Sequence, residues 1–303
     1  MKKIMSGLVL TLSLGLFHYS YASAGPLVKS EENVRPIEIV ANGEFIKMDA
    51  HPLMDNNRLF VPIRALASLG LSYSFNSTTS VATVQNKEGD YLKISANSST
   101  AYKNDKAIQM DVPAQNSNGR ILVPIRFVSE SLGYKVQYES IRKFVFVNSQ
   151  DYSFDSKLLY QDDLQAARKA AIALPINRDF IPLGTLDGYR LHQYTFPHGR
   201  ADTYYFNDGN YTFVQIKEGD AIAIGQLYRE RGKPSQARGN VSPEMSLDRD
   251  PFMEPFDHRS VLFFENDDGM ATIVYQEDKN EQVNIKTKMN IYSDIIQKLP
   301  DHK

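Results

Sequence analysis

The sequence predicts an α+β protein: two small antiparallel sheet-on-helix repeats in tandem, followed by a β-rich C-terminal domain with a leading helix. Three observations carry this. "RLFVPIRALASLG" (58–70) returns as "RILVPIRFVSESLG" (120–133). Each copy is followed by short runs of alternating apolar residues. After residue 175 nearly every patterned stretch has a period of two, with Asn-Asp-Gly and Asp-Asp-Gly turns between them.

In chain order, "MKKIMSGLVLTLSLGLFHYSYASAG" has a basic start, an apolar run from Ile4 to Phe17 and a small-residue site at Ala22-Ser23-Ala24. It reads as a secretory signal over residues 1–24. About fourteen apolar residues fall short of the roughly 20 that span a bilayer. No later stretch is long and apolar enough to cross, so the expectation is a secreted or envelope-associated protein with no transmembrane segment after cleavage. Residues 25–36 read as a linker.

The repeats occupy about 37–86 and 90–149. Asn42, Ile46, Met48, Asp49 and Arg58 match Asn104, Ile108, Met110, Asp111 and Arg120 at an offset of 62. The offset becomes 63 before Leu69, where the first copy is one residue shorter. In each copy a β-branched apolar run ends at Pro62 or Pro124, which suits the first position of a helix because its missing N–H costs least there. Ile63, Leu66 and Ala67, and Ile125, Val128 and Leu132, keep helical spacing. Gly70 and Gly133 should cap these helices in the left-handed conformation.

A helix of two turns is unstable alone. The hairpins around Leu71–Val84 and Tyr134–Val147 are therefore expected to hold each helix within its own copy. Arg64 and Arg126 sit in the first helical turn, where the macrodipole disfavours a cation. Asp49 and Asp111 recur in step with them and are the expected partners in an internal clamp; a ligand-binding pair of arginines is the alternative.

This order of motifs, a strand ending in Asn-Gly, a following Asp, then Arg-x-x-Val-Pro-Ile-Arg, a short helix ending in Leu-Gly and a hairpin, closely resembles the copper amine oxidase N-terminal-like domain, also called the stalk domain. The resemblance covers about residues 37–149, departing at the one-residue deletion before Leu69. The family is common in secreted and cell-envelope proteins of Gram-positive bacteria. The resemblance implies an α+β stalk module of strands wrapped on a helix, non-catalytic and used for display or binding. In the oxidases that name the family, chemistry resides in a separate domain with a modified Tyr and three His ligands. Here no His-x-His pair exists and His51 is the only His in the repeat region, so oxidase activity is not expected.

From Asp151 no family resemblance is evident. "LLYQDDLQAARKAAIAL" (158–174) predicts one helix, and strands follow in "YRLHQYTF", "TYYFNDGNYTFVQI", "AIAIGQLY", "SVLFFENDDGMATIVYQ" and "QVNIKTKMNIY". This half has 18 Lys and Arg against 24 Asp and Glu, whereas residues 25–150 have 14 against 12. A formal net of −2 for the whole chain offers no basic footprint for nucleic acid. The long segment "KPSQARGNVSPEMSLDRDPFMEPFD" (233–257) is a functional flap or a disordered loop.

Other chemistries are weakly supported. Cys is absent, which removes disulfides, thiolate metal sites and Cys nucleophiles. Ser140-Ile-Arg-Lys143 fits Ser-x-x-Lys, but it falls in a hairpin turn and lacks its companion motifs. His192, His198 and His258 follow no metal-ligand spacing. No cofactor or metal is expected. Tyr204, Tyr205, Tyr211, Phe252 and Phe256 are candidate partner contacts, with about half of the strand aromatics expected in the core.

The reading is a secreted, non-enzymatic envelope protein whose β-rich domain contacts a cell-wall polymer or an extracellular protein. The alternatives are an envelope hydrolase with its site in residues 151–303, marked by facing carboxylates, and a secreted inhibitor-type protein.

Overall fold

The computed structural model describes residues 37–299 except 49, 118, 185–191, 229–233, 242–259, 267 and 277–281. The expected signal peptide and linker lie outside the described residues. The described chain belongs to one compact unit, Pro36–Lys303, and is mostly β with short helices.

The first copy runs through β1 (Ile39–Ala41), β2 (Glu44–Phe45), β3 (Leu53–Asp55), β4 (Arg58–Pro62), a 3-10 helix (Ile63–Leu69), β5 (Ser72–Asn76) and β6 (Val81–Gln85). After β7 (Tyr91–Ser95) the second copy repeats the series as β8 (Thr100–Lys103), β9 (Lys106–Gln109), β10 (Gln115–Ser117), β11 (Arg120–Pro124), α1 (Ile125–Ser131), β12 (Lys135–Glu139) and β13 (Phe144–Asn148). The recurrent Asn has a local cause. Asn42-Gly43 (φ 46° and 81°) and Asn104-Asp105 (φ 46° and 62°) are left-handed at both positions, as two-residue hairpin turns require.

Neither copy owns its sheets, and here the arrangement departs from the expected one. β4 and β11 pair antiparallel with Val61 opposite Val123, which are equivalent positions, so an approximate twofold axis passes between them. The resulting sheet has the order β10-β11-β4-β3. The first copy's leading hairpin joins the second copy's trailing one in the order β12-β13-β1-β2, and the converse combination is β5-β6-β7-β8-β9. The copies thus exchange hairpins around one shared cluster that includes Leu66, Val84, Leu92, Val123 and Val128.

Pro62 and Pro124 stand at the helix entrances, one position earlier than expected: each is the N-cap with extended ψ (129° and 111°), and the following Ile is the first helical residue. A φ fixed near −65° serves the end of the strand as well as the start of the helix. The deletion explains why one helix is 3-10 and the other α. Ile63–Leu69 covers about 12 Å at the 3-10 rise, and Ile125–Ser131 together with its C-cap Leu132, one residue more, covers about 10 Å at the α rise. Gly70 (φ 79°) and Gly133 (φ 88°) close both helices in the left-handed conformation, with Tyr134 N donating to Ser129 O at 2.9 Å and Leu71 N to Leu66 O at 3.4 Å.

The second half contains a 3-10 turn (Ser156–Tyr160), α2 (Leu164–Ile172), β14 (Ile176–Asn177), β15 (Gln193–Pro197), β16 (Thr203–Asn207), β17 (Tyr211–Lys217), β18 (Asp220–Tyr228), β19 (Gln236–Gly239), β20 (Ser260–Glu265), β21 (Met270–Gln276), β22 (Gln282–Lys288) and a last 3-10 turn (Tyr292–Ile295). The single helix expected over 158–174 is split, because Asp163 accepts from Ala166 N and caps a new start. The strands form one sheet, β14-β18-β17-β16-β15-β20-β21-β22, with β19 on β18. All pairings are antiparallel except β14 with β18.

The sheet containing β1 and β13 separates two cores. Ile39, Ala41, Val145 and Val147 face the tandem module, whereas Val40, Phe144 and Phe146 enter the cluster of Tyr194, Phe196, Phe206 and Ile172. Strands covered on both faces read as unbroken apolar runs, and "FVFV" is such a run.

Candidate binding groove

A groove of about 680 Å³ with a mixed lining is built by both copies. Its floor is apolar. Met54 and Leu59 come from the β3–β4 hairpin, Ile125 and Phe127 from the start of α1, and Val136, Tyr138 and Val145 from β12 and β13. Met54 and Tyr138 are each about half exposed (50% and 48%), which leaves them open to a partner.

Charges on the groove are paired with one another. Arg58 donates through Nε to Asp111 Oδ2, and this hydrogen bond holds the Asp111 carboxyl below its ordinary value. Arg126 lies 3.7 Å from Glu130, one helical turn on. The expected Arg126–Asp111 clamp is therefore corrected: the partner of Asp111 is Arg58, which the twofold arrangement brings across from the other copy. Arg64 is exposed on the first 3-10 helix, and Arg120 occupies on β11 the place that Arg58 has on β4. Asp49 lies outside the described residues. Such neutralised rims and an apolar floor suit binding better than proton transfer, which needs a carboxyl or base in contact with a substrate.

Of the proposed contacts in the β-rich half, Tyr204 and Tyr205 are 0% and 4% exposed and present no face to a partner. Every residue of β16 is buried, because the strand is covered on both faces rather than on one. Tyr205 stacks on Phe213 with centroids 5.0 Å apart. Tyr211 is half-buried on β17, and Phe252 and Phe256 lie outside the described residues. His192 is buried with Nδ1 2.8 Å from Tyr292 Oη, which donates to Tyr194 Oη at 3.2 Å. His198 is half-buried beyond β15, and His258 lies outside the described residues. Among the described residues no cluster of three or more metal-ligating side chains occurs.

The residues missed by pattern are those of the 139–143 turn. Glu139 accepts from Ile141 N (2.6 Å), Arg142 N (2.9 Å) and Arg142 Nε (2.6 Å). Arg142 donates its remaining nitrogens to Ile172 O and Leu174 O, both at 2.6 Å, at the C-terminal end of α2, where a cation is favoured. Burial opposes the Arg142 charge, but the Glu139 carboxylate outweighs it and lifts the pKa above its ordinary value. Ser140, discarded above as a nucleophile, accepts from Arg178 Nη2 at 3.0 Å. Close by, burial raises Asp208 to about 6. Arg168 on α2 donates to Arg200 O and Pro197 O at 3.1 Å, and burial lowers it to about 10.

Residues 40–147 match the family model of the copper amine oxidase N-terminal domain. The match begins in β1 and ends in β13, and so spans the hairpin-exchanged tandem with its groove. No curated protein matches the chain.

Proposed function

We propose that the protein is a secreted, non-enzymatic binding protein of the bacterial cell envelope, with the copper amine oxidase N-terminal module supplying the recognition groove and the β-rich half displayed beside it. The observation that carries this reading is the groove: about 680 Å³, within the range of ligand sites, floored by half-exposed Met54 and Tyr138, with rim charges already paired. The partner is a cell-wall polymer or an extracellular protein. Retention of residues 25–303 on purified cell wall and on immobilised surface-protein extract tests it. The wild type is retained by one of the two, and Met54→Ala/Tyr138→Ala is retained less. No retention on either support at low salt would sink the reading.

A second reading, an envelope hydrolase, draws on a hollow of about 430 Å³ lined by Asp162, Arg200, Asp202 and the 69%-exposed Tyr160. Against it, Asp202 is held by Arg200 through two hydrogen bonds of 2.9 and 3.1 Å. Release of soluble fragments from cell wall, abolished by Asp162→Asn, would establish it in place of the first.

A further inference from the structure

The groove is bordered by two sheet edges. β12 ends the order β12-β13-β1-β2, and β3 ends β10-β11-β4-β3; Val136 and Tyr138 of β12 and Met54 of β3 all line the hollow. No strand among the described residues pairs with the outer side of β12. We infer that the groove takes an extended polypeptide segment, added as a further strand on β12, with alternate apolar side chains seated on its floor. This rests on the binding reading above and names the chemistry of the partner at the same site.

An open strand edge offers N–H donors and C=O acceptors at a spacing of about 6.7 Å, two residues of extended chain, and a second extended polypeptide matches that row. Val136 and Tyr138 are two residues apart and point into the same hollow, which is the periodicity at which an added strand directs its side chains to one face. Their strand partners Val147 and Val145 continue the apolar surface inward. Because Arg58 with Asp111 and Arg126 with Glu130 neutralise each other, the rim selects no strongly charged peptide. A polysaccharide would draw on polar side chains directed at its hydroxyls; the lining offers Asn57 and Gln109 beside the paired charges, while Met54, Leu59, Ile125, Phe127, Val136 and Tyr138 belong to an apolar majority.

β12 carries little of the usual protection of an edge beyond its short length. It contains no Pro, and Glu139 turns away to the buried pair with Arg142, leaving Lys135 as the one charged side chain directed to solvent. The equivalent edge in the first copy, β5, exposes Tyr73 and Phe75 at 44% and 52%, at the positions matching Val136 and Tyr138. The same alternation of bulky groups is thus present in both copies, and beside β12 it lines the groove.

The test uses residues 25–303 with an end-blocked heptapeptide alternating Thr with Val and Phe, the same peptide N-methylated at alternate backbone nitrogens, and soluble glycan fragments from purified cell wall. Binding is measured by calorimetry and located by amide hydrogen exchange. The expected result is binding of the unmodified peptide, slowed exchange in Lys135–Glu139, roughly tenfold weaker binding by Tyr138→Ala, and loss of binding on N-methylation. Equal binding of the N-methylated peptide, protection that omits β12, or no peptide binding at all overturns the inference. If glycan fragments alone bind and perturb the groove, strand addition falls while the envelope-binding reading stands; if none of the probes binds and cell wall and surface extract also fail to retain the chain, both fall.

Discussion

Replacing Arg142 by Met should be among the most damaging single changes in the molecule. The guanidinium is fully buried and makes three hydrogen bonds of 2.6 Å, one to Glu139 and two to the carbonyls ending α2, and it lies 4.7 Å over the Phe144 ring. Met is smaller than Arg and has no donor, so the substitution deprives Glu139 of its cation, a loss worth about 3–5 kcal/mol for a buried pair. Two carbonyls also lose their donors, at about 1 kcal/mol each. These losses overlap, so the expected destabilisation is about 5 kcal/mol, a large part of the roughly 5–15 kcal/mol available to a folded domain. Urea unfolding followed by tyrosine fluorescence and far-UV circular dichroism measures it. Adding Glu139→Gln removes the unpaired carboxylate while an amide oxygen still accepts from the backbone N–H groups of residues 141 and 142, so the double variant should be more stable than Arg142→Met alone. A loss below about 1 kcal/mol, or a double variant no better than the single, would refute the reasoning.

Phe144→Ala should cost about 3–5 kcal/mol, whereas the equivalent Val81→Ala, on a half-exposed strand position, should cost about 1 kcal/mol or less; thermal melts of both variants check the contrast. Asp208 titrates near 3.8 when unfolded and about 6 when folded, so the native state binds the extra proton and the wild type should lose stability as pH rises from 4 to 6. Asp208→Asn should flatten that slope and gain at most about 3 kcal/mol above pH 7, read from urea midpoints across pH. Gly133→Ala forces a side chain into φ 88° with no steric neighbour within 4 Å, and should cost about 1–2 kcal/mol with no change of secondary structure by circular dichroism.

What could be read from the chain was local. Val-Pro-Ile-Arg, the Asn turns and the Gly caps each depend on a few adjacent residues, and the structure places strand ends, helix entrances and left-handed caps at those residues. Hairpin exchange was not legible, because identity between copies does not say whether a strand pairs within its own copy or across the axis. The same ambiguity misassigned Asp111: its register recurs with both Arg58 and Arg126, and only the twofold pairing of β4 with β11 chooses Arg58. One signal was present but unused. The first copy's β6, "VATVQ", alternates, while its counterpart β13, "FVFVN", does not, and the added phenylalanines mark the face that meets the second half. Tyr204 and Tyr205 misled because adjacent aromatics on a strand suggest one inward and one outward; covering on both faces of β16 buries the pair.

Tyr138 and Glu139 are neighbours on one strand with opposite outlooks, the first toward the groove and the second toward the anchor on α2. A pull on anything lodged beside Tyr138 is therefore carried, one peptide unit away, to the Glu139–Arg142 pair that grips the end of α2. The same shared wall means that a truncated chain ending at residue 149 would bare Phe144, Phe146, Val40 and Phe45 to water, and such a fragment should clump unless that surface is repainted with polar residues.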